Sequence, residues 1–106
     1  MIFDLRIYTM YAGKAAASLK MYEQYGLPVQ SKYLSEPVMF SMTEAGPLNQ
    51  VIHLWKYESQ ADREKRRETM ATEPAWGEFL KRNAEMGAIM SQEHHILKPT
   101  SFSSLR

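Results

Sequence analysis

Four side chains in two short runs carry most of the chemistry this sequence offers. The runs Leu5-Arg6-Ile7-Tyr8 and Ile52-His53-Leu54-Trp55 each alternate an aliphatic residue with a polar or aromatic one. A period of two places Arg6 and Tyr8 on one face of a strand, and His53 and Trp55 on one face of another. An arginine clamps a carboxylate or enolate, a tyrosine donates a hydrogen bond, and a neutral histidine with a reference pKa of ~6.5 moves a proton near neutral pH. Trp55, with Tyr57 after it, adds a surface on which a small aromatic or planar carbonyl compound can stack. Arg6, His53 and Tyr8 are therefore the candidate catalytic residues, suited to proton abstraction from, or oxygenation of, a small electron-rich molecule. Arg6, Tyr8, His53 and Trp55 are the candidate ligand-binding residues, together with Tyr22, which projects from the first helix and can roof a pocket between helix and sheet. A competing reading makes Arg6 and His53 structural, because buried polar groups need partners, and a dimer interface, Glu44 or Glu93 can supply them.

Other features exclude more than they suggest. The sequence has no cysteine, which removes disulfides, thiolate nucleophiles, zinc-thiolate sites and iron–sulfur clusters. His94 and His95 are neighbours on a β-rich run, so they point to opposite faces and cannot chelate one ion. Either alone has the chemistry of a haem ligand, but no adjoining motif supports that use, and neither metal nor cofactor is expected. A formal charge of +1 provides no field for nucleic acid. Arg63, Lys65, Arg66 and Arg67 alternate with Asp62, Glu64 and Glu68, which reads as a solvated helix face with i,i+4 pairs rather than a phosphate patch. Eight methionines are spread through every element and read as core filler. No apolar stretch approaches the ~20 residues of a membrane span. The opening MIFDLRIYTM lacks a basic segment leading into an apolar run, so no secretory signal is expected and the location is read as cytoplasmic.

The elements that position these residues follow from periodicity. Residues 2–10 alternate as a strand, and Gly13 ends it. Ala15, Leu19 and Tyr22 then fall at helical spacing; Gly26 is read as the stop of this helix, with Pro28 opening a continuation through Tyr33. Residues 38–43 and 49–57 are β-rich runs joined by a Gly46-Pro47 turn, hence antiparallel neighbours. Ser59 and Asp62 have capping-box spacing for a helix ending near Thr72; Pro74 restarts it and Gly87 closes it. A last strand spans 90–97. The order βαββαβ is that of an α+β, ferredoxin-like fold: a four-stranded antiparallel sheet, first and third strands central, helices on one face. Residues 1–98 form the domain and 99–106 an extended, Ser-rich C-terminal tail.

Both faces of that sheet carry large residues: Leu5, Ile7, Ile52 and Leu54 on one, Tyr8, Met10, Trp55 and Tyr57 on the other. Helices cover only one, and an uncovered apolar face marks an interaction site, most economically a symmetric homodimer. Because Arg6 and His53 stand amid the aromatic face, the dimer surface and any active site are expected to coincide.

Several stretches resemble the NIPSNAP family: Leu5-Arg6-Ile7-Tyr8-Thr9 with Gly13-Lys14, the run Glu44-Ala45-Gly46-Pro47-Leu48-Asn49-Gln50-Val51-Ile52-His53-Leu54-Trp55-Lys56-Tyr57, Arg63-Glu64-Lys65-Arg66-Arg67, Pro74-Ala75-Trp76, and Ile96-Leu97-Lys98-Pro99-Thr100 with Phe102. The resemblance implies a ferredoxin-like fold paired as a dimeric α/β barrel. It implies no settled activity; the wider superfamily includes cofactor-independent monooxygenases, isomerase-like enzymes and haem-handling proteins. The expected function is thus a homodimer with a small-molecule pocket near Arg6 and His53, working as a cofactor-free oxygenase or isomerase, or alternatively as a non-catalytic binding or assembly module whose polar residues hold the dimer together.

Overall fold

The structure is a computed structural model that describes residues 1–106. Its elements are β1 (Ile2–Met10), α1 (Ala15–Met21), a π-helical turn (Tyr22–Gly26), α2 (Leu27–Leu34), β2 (Met39–Met42), β3 (Gln50–Tyr57), α3 (Gln60–Ala71), α4 (Pro74–Met86) and β4 (Ile89–Leu97). The sheet order is β2-β3-β1-β4, antiparallel throughout, so the two candidate runs occupy the two central strands. Arg6 pairs with His53 on one side and with His94 on the other, which aligns the three across the sheet. No helix is long and apolar enough to cross a membrane.

Local chemistry accounts for the helix ends. Ser59 accepts the Asp62 backbone N–H at 3.1 Å, but the Asp62 carboxylate takes the N–H of Glu58 rather than that of the cap residue, so the box is half formed. Gly87 closes α4 in the left-handed region at φ 58, where a side chain would be strained.

Gly26 does not stop the first helix. Pro28 lacks the N–H that would bond back one turn, and its ring crowds the carbonyl four residues before it. The chain answers by widening into a π turn, the Leu27 N–H bonding the Tyr22 carbonyl, and continues helically to Leu34. Gly26 is required here for space: a Cβ on it would lie 2.7 Å from a Tyr22 ring carbon and 2.8 Å from one of Phe79.

The helices cover the face carrying Asp4, Arg6, Tyr8 and Met10 of β1 and Val51, His53, Trp55 and Tyr57 of β3. Leu5, Ile7, Ile52 and Leu54 face the other way, only half-buried. The face bearing Arg6 and His53 is therefore not the face left open, and the expectation of one shared surface is corrected: pocket and open face lie on opposite sides of the sheet. Apolarity could not choose between them, because both faces are apolar.

The core is split. Val29, Leu34, Trp55, Tyr57 and Met70 form one cluster and Met10, Val51 and Ala88 another, with Phe40 packed against both. His53 lies between Val51 and Trp55 on the same face of β3, so the polar group sits where the two clusters would otherwise merge.

Candidate functional site

Between the clusters lies a half-open cavity of about 620 Å³, within the range of small-molecule sites. Its floor is Arg6, Tyr8, His53 and Phe40 from the sheet; Tyr22, Gln30 and Arg67 come from the helices above. It reaches the β4 edge at Gln92 and His94, on a strand that is exposed along nearly its whole length.

A carboxylate that does not reach the cavity anchors the floor. Asp4, 0 % exposed, accepts Nε and Nη2 of Arg6 at 3.2 Å each and Nε of Arg63 at 3.0 Å. Burial alone would raise its pKa, but the Arg6 and Arg63 guanidiniums outweigh that and hold the carboxyl below its usual range. The partner of Arg6 is thus Asp4, two residues along the same face, and not Glu44 or Glu93. The remaining Arg6 nitrogen, Nη1, donates to the Tyr8 hydroxyl at 3.3 Å, and that hydroxyl lies 3.4 Å from His94 Nε2. A polar chain runs from buried Asp4 through Arg6 and Tyr8 to His94 at the rim.

His53 is held in one state. The Trp55 indole N–H donates to its Nδ1 at 2.6 Å, which in the neutral ring leaves the proton on Nε2. Burial, then the Arg6 charge, pull its pKa down to about 3. At neutral pH His53 is an uncharged hydrogen-bond donor and not the proton acceptor its reference pKa suggests. His94 is lowered too, first by partial burial and then by Arg6; it is neutral at physiological pH, with Nε2 turned to Tyr8, and is the better placed proton acceptor.

The sheet's rings form a ladder. Tyr22 stacks on Phe40 at 4.7 Å, Phe40 on His53 at 4.5 Å and His53 on Tyr8 at 5.2 Å, all within 21° of parallel. Rings stacked on each other have their faces covered, so the floor offers edges, including the Tyr8 hydroxyl. Trp55 does not line the cavity at all; it is 1 % exposed, meets His53 edge-on and serves as that ring's anchor. Its expected stacking role is corrected on that ground, and Trp76 and Phe79 of α4 supply the aromatic wall instead. Tyr22 does line the cavity, as expected; burial raises its phenol pKa and its hydroxyl donates to Gln30.

The basic helix departs from the solvated-face expectation. Arg66 does pair with Asp62 at i,i+4, but Arg63 reaches Asp4 and Arg67 enters the cavity. The signal was available: Arg63 and Arg67 precede Met70, the buried residue of α3, by seven and three positions, which puts them on its inward face. His95 lies across the sheet from His94, 3.5 Å from Glu93, as strand geometry requires.

The NIPSNAP family model matches residues 3–104. The chain belongs to the NIPSNAP family. A NIPSNAP family protein from Agrobacterium tumefaciens superposes with a TM-score of 0.91 at 39% identity, over 99% of this chain and 98% of that one. A NIPSNAP domain protein from Burkholderia xenovorans superposes with a TM-score of 0.89 at 30% identity, over 97% and 98% of the two chains. A NipSnap homologue of Dictyostelium discoideum is 41% identical over 51 residues, 48% of this NIPSNAP chain but only 23% of that protein's length. An antibiotic biosynthesis monooxygenase shares the fold at a TM-score of 0.64 with 5% identity, over 94% and 99% of the chains.

Proposed function

We propose that this NIPSNAP protein binds a small planar carbonyl compound in the cavity between sheet and helices and withdraws a proton from it. The observation that carries this reading is the donor wall: a histidine fixed as a neutral Nε2–H donor, flanked by Arg6, beside a Tyr8–His94 pair able to take a proton. Donors aimed at a carbonyl oxygen lower the energy of the enolate formed when a neighbouring C–H bond ionises, and preorganised donors of this kind contribute about 3–4 kcal/mol each. Return of the proton at another atom is isomerisation; reaction of the carbanion with dioxygen is oxygenation. Neither requires a bound cofactor. A tightly filled site would favour the assembly-module reading, whereas about 620 Å³ of open volume favours a ligand.

Deuterium exchange tests the reading. The methylene of phenylpyruvate and that of 1-indanone, incubated in D₂O, are expected to exchange faster with the protein present, and about tenfold or more slower again in His94→Gln or Tyr8→Phe. No acceleration of either probe by the native protein would refute it.

Pairing through the open sheet face is the second part of the proposal. Leu5, Ile7, Ile52 and Leu54 there are only half-buried, and Met39 alongside is 43 % exposed. Light scattering should give about twice the 12.3 kDa chain mass, reduced to one by Ile52→Lys. A native chain that stays monomeric at micromolar concentration would overturn it.

A further inference from the structure

We infer that the cavity selects an anion: a small carboxylate on a planar apolar body, its charge met by Arg67 and Arg6. This rests on the reading of the cavity as a ligand site and goes further by fixing the ligand's charge. The cavity wall contains two guanidiniums and no aspartate or glutamate. Asp4 lies beneath the floor and is already shared by Arg6 and Arg63. Arg67 is left over. It makes no ion pair, although Arg63 and Arg66 on the same helix each have one. Its polar neighbour is the buried Tyr57 hydroxyl, which has no partner in strict hydrogen-bonding geometry; burial raises the pKa of that phenol and the adjacent Arg67 opposes the rise, but a neutral hydroxyl does not balance a charge.

A half-buried cation among like charges is unfavourable unless something compensates it. Burial first, then Arg6 and more weakly Arg67, lower the pKa of both His53 and His94, with Asp4 opposing them in each case. The charge left over is thus a property of the whole chamber. A carboxylate matches it in sign and in geometry, because a guanidinium presents parallel donors to two oxygens. The neutral His53 Nε2–H adds a donor that the ligand's charge cannot switch off. The body of such a ligand must be apolar, since Trp76, Phe79 and Leu80 enclose most of the remaining wall.

Calorimetric titration of the native protein with 1-naphthoate, 1-naphthamide and 1-naphthalenemethanol tests the inference. These probes share one ring system and differ in charge at one group. The carboxylate is expected to bind about tenfold or more tighter than the amide, the strength of one charge-assisted contact. Arg67→Gln is expected to weaken carboxylate binding by more than amide binding, so that the preference is lost, and Arg67→Lys to restore part of it. The melting temperature of Arg67→Gln without ligand should stay level or rise, because the substitution removes an unpaired charge; a clear fall would show that Arg67 is compensated internally and would overturn the inference. Equal binding of amide and carboxylate by the native protein would also overturn it, yet leave the cavity a ligand site. Failure of all three probes to bind would overturn both.

Discussion

Protonation of His53 provides a quantitative test of the site. Its pKa falls from an ordinary 6.5 to about 3 because the ring is buried between Phe40 and Tyr8, and secondarily because Arg6 is adjacent. A histidine whose folded pKa is depressed supports the folded state fully above its unfolded pKa, and that support is lost as pH falls toward the folded value. The whole shift corresponds to roughly 5 kcal/mol at 1.36 kcal/mol per unit. Between about pH 7 and about pH 5 the unfolded histidine gains a weight of about 25-fold from protonation while the folded one stays neutral, which costs about 2 kcal/mol. Urea denaturation of the native protein and of His53→Gln, at both pH values and one protein concentration, isolates this contribution. Glutamine retains an acceptor for the Trp55 N–H, and every other titrating group is common to the two proteins. The native protein is expected to lose about 2 kcal/mol more than the variant over that interval. Equal losses would refute the argument, as would a His53 ring resonance that titrates between those pH values.

Three further expectations follow from named contacts. Trp55→Phe keeps an aromatic ring but removes the donor to His53 Nδ1, and should cost about 1–2 kcal/mol in denaturant titrations and change the His53 tautomer seen by nitrogen NMR. Gly26→Ala places a methyl group 2.7 Å from Tyr22 and 2.8 Å from Phe79, and should lower stability by about 1–3 kcal/mol despite alanine's better helix propensity; an unchanged melting temperature would contradict the close approach. Asp4→Asn leaves Arg6 and Arg63 without their carboxylate, and should cost about 3–5 kcal/mol by calorimetry, whereas Asp62→Asn, at the exposed Arg66 pair, should cost far less.

Element order and the two faces of each strand were legible because they depend on short-range rules. Alternation in β1 and β3, the Ser59 cap and Gly87 are each decided within a few residues. The grouping of Arg6, Tyr8 and His53 was legible for the same reason: a period of two fixes who shares a face. Which face the helices cover was not, since Tyr8 and Trp55 on one side and Ile7 and Leu54 on the other give no contrast. Roles were harder to read than places. The reference pKa of histidine suggests a base, and only the approach of Trp55 Nε1 and the Arg6 charge reveal a neutral donor. Arg67 was hidden by composition, because a run of mixed charges looks solvated unless its positions are counted back from Met70. Trp55 was expected at the ligand because large aromatics line pockets, yet its whole ring is enclosed between α2, α3 and the sheet.

The π turn at Tyr22–Gly26 sets the angular phase between two halves of one helix. Each residue in an α-helix advances the side chains by about 100°, so the extra residue held in this turn shifts everything after it by that amount. Upstream, Ser18 and Leu19 address the cavity; downstream, Gln30 does so too, while Val29 and Leu34 enter the core cluster around Trp55. Excising one residue from the turn would restore regular winding and rotate Val29 and Leu34 out of the core and Gln30 away from the Tyr22 hydroxyl. The helix therefore works as two separately aimed segments on one axis, and insertions or deletions there would re-aim one against the other without altering a single residue of the site.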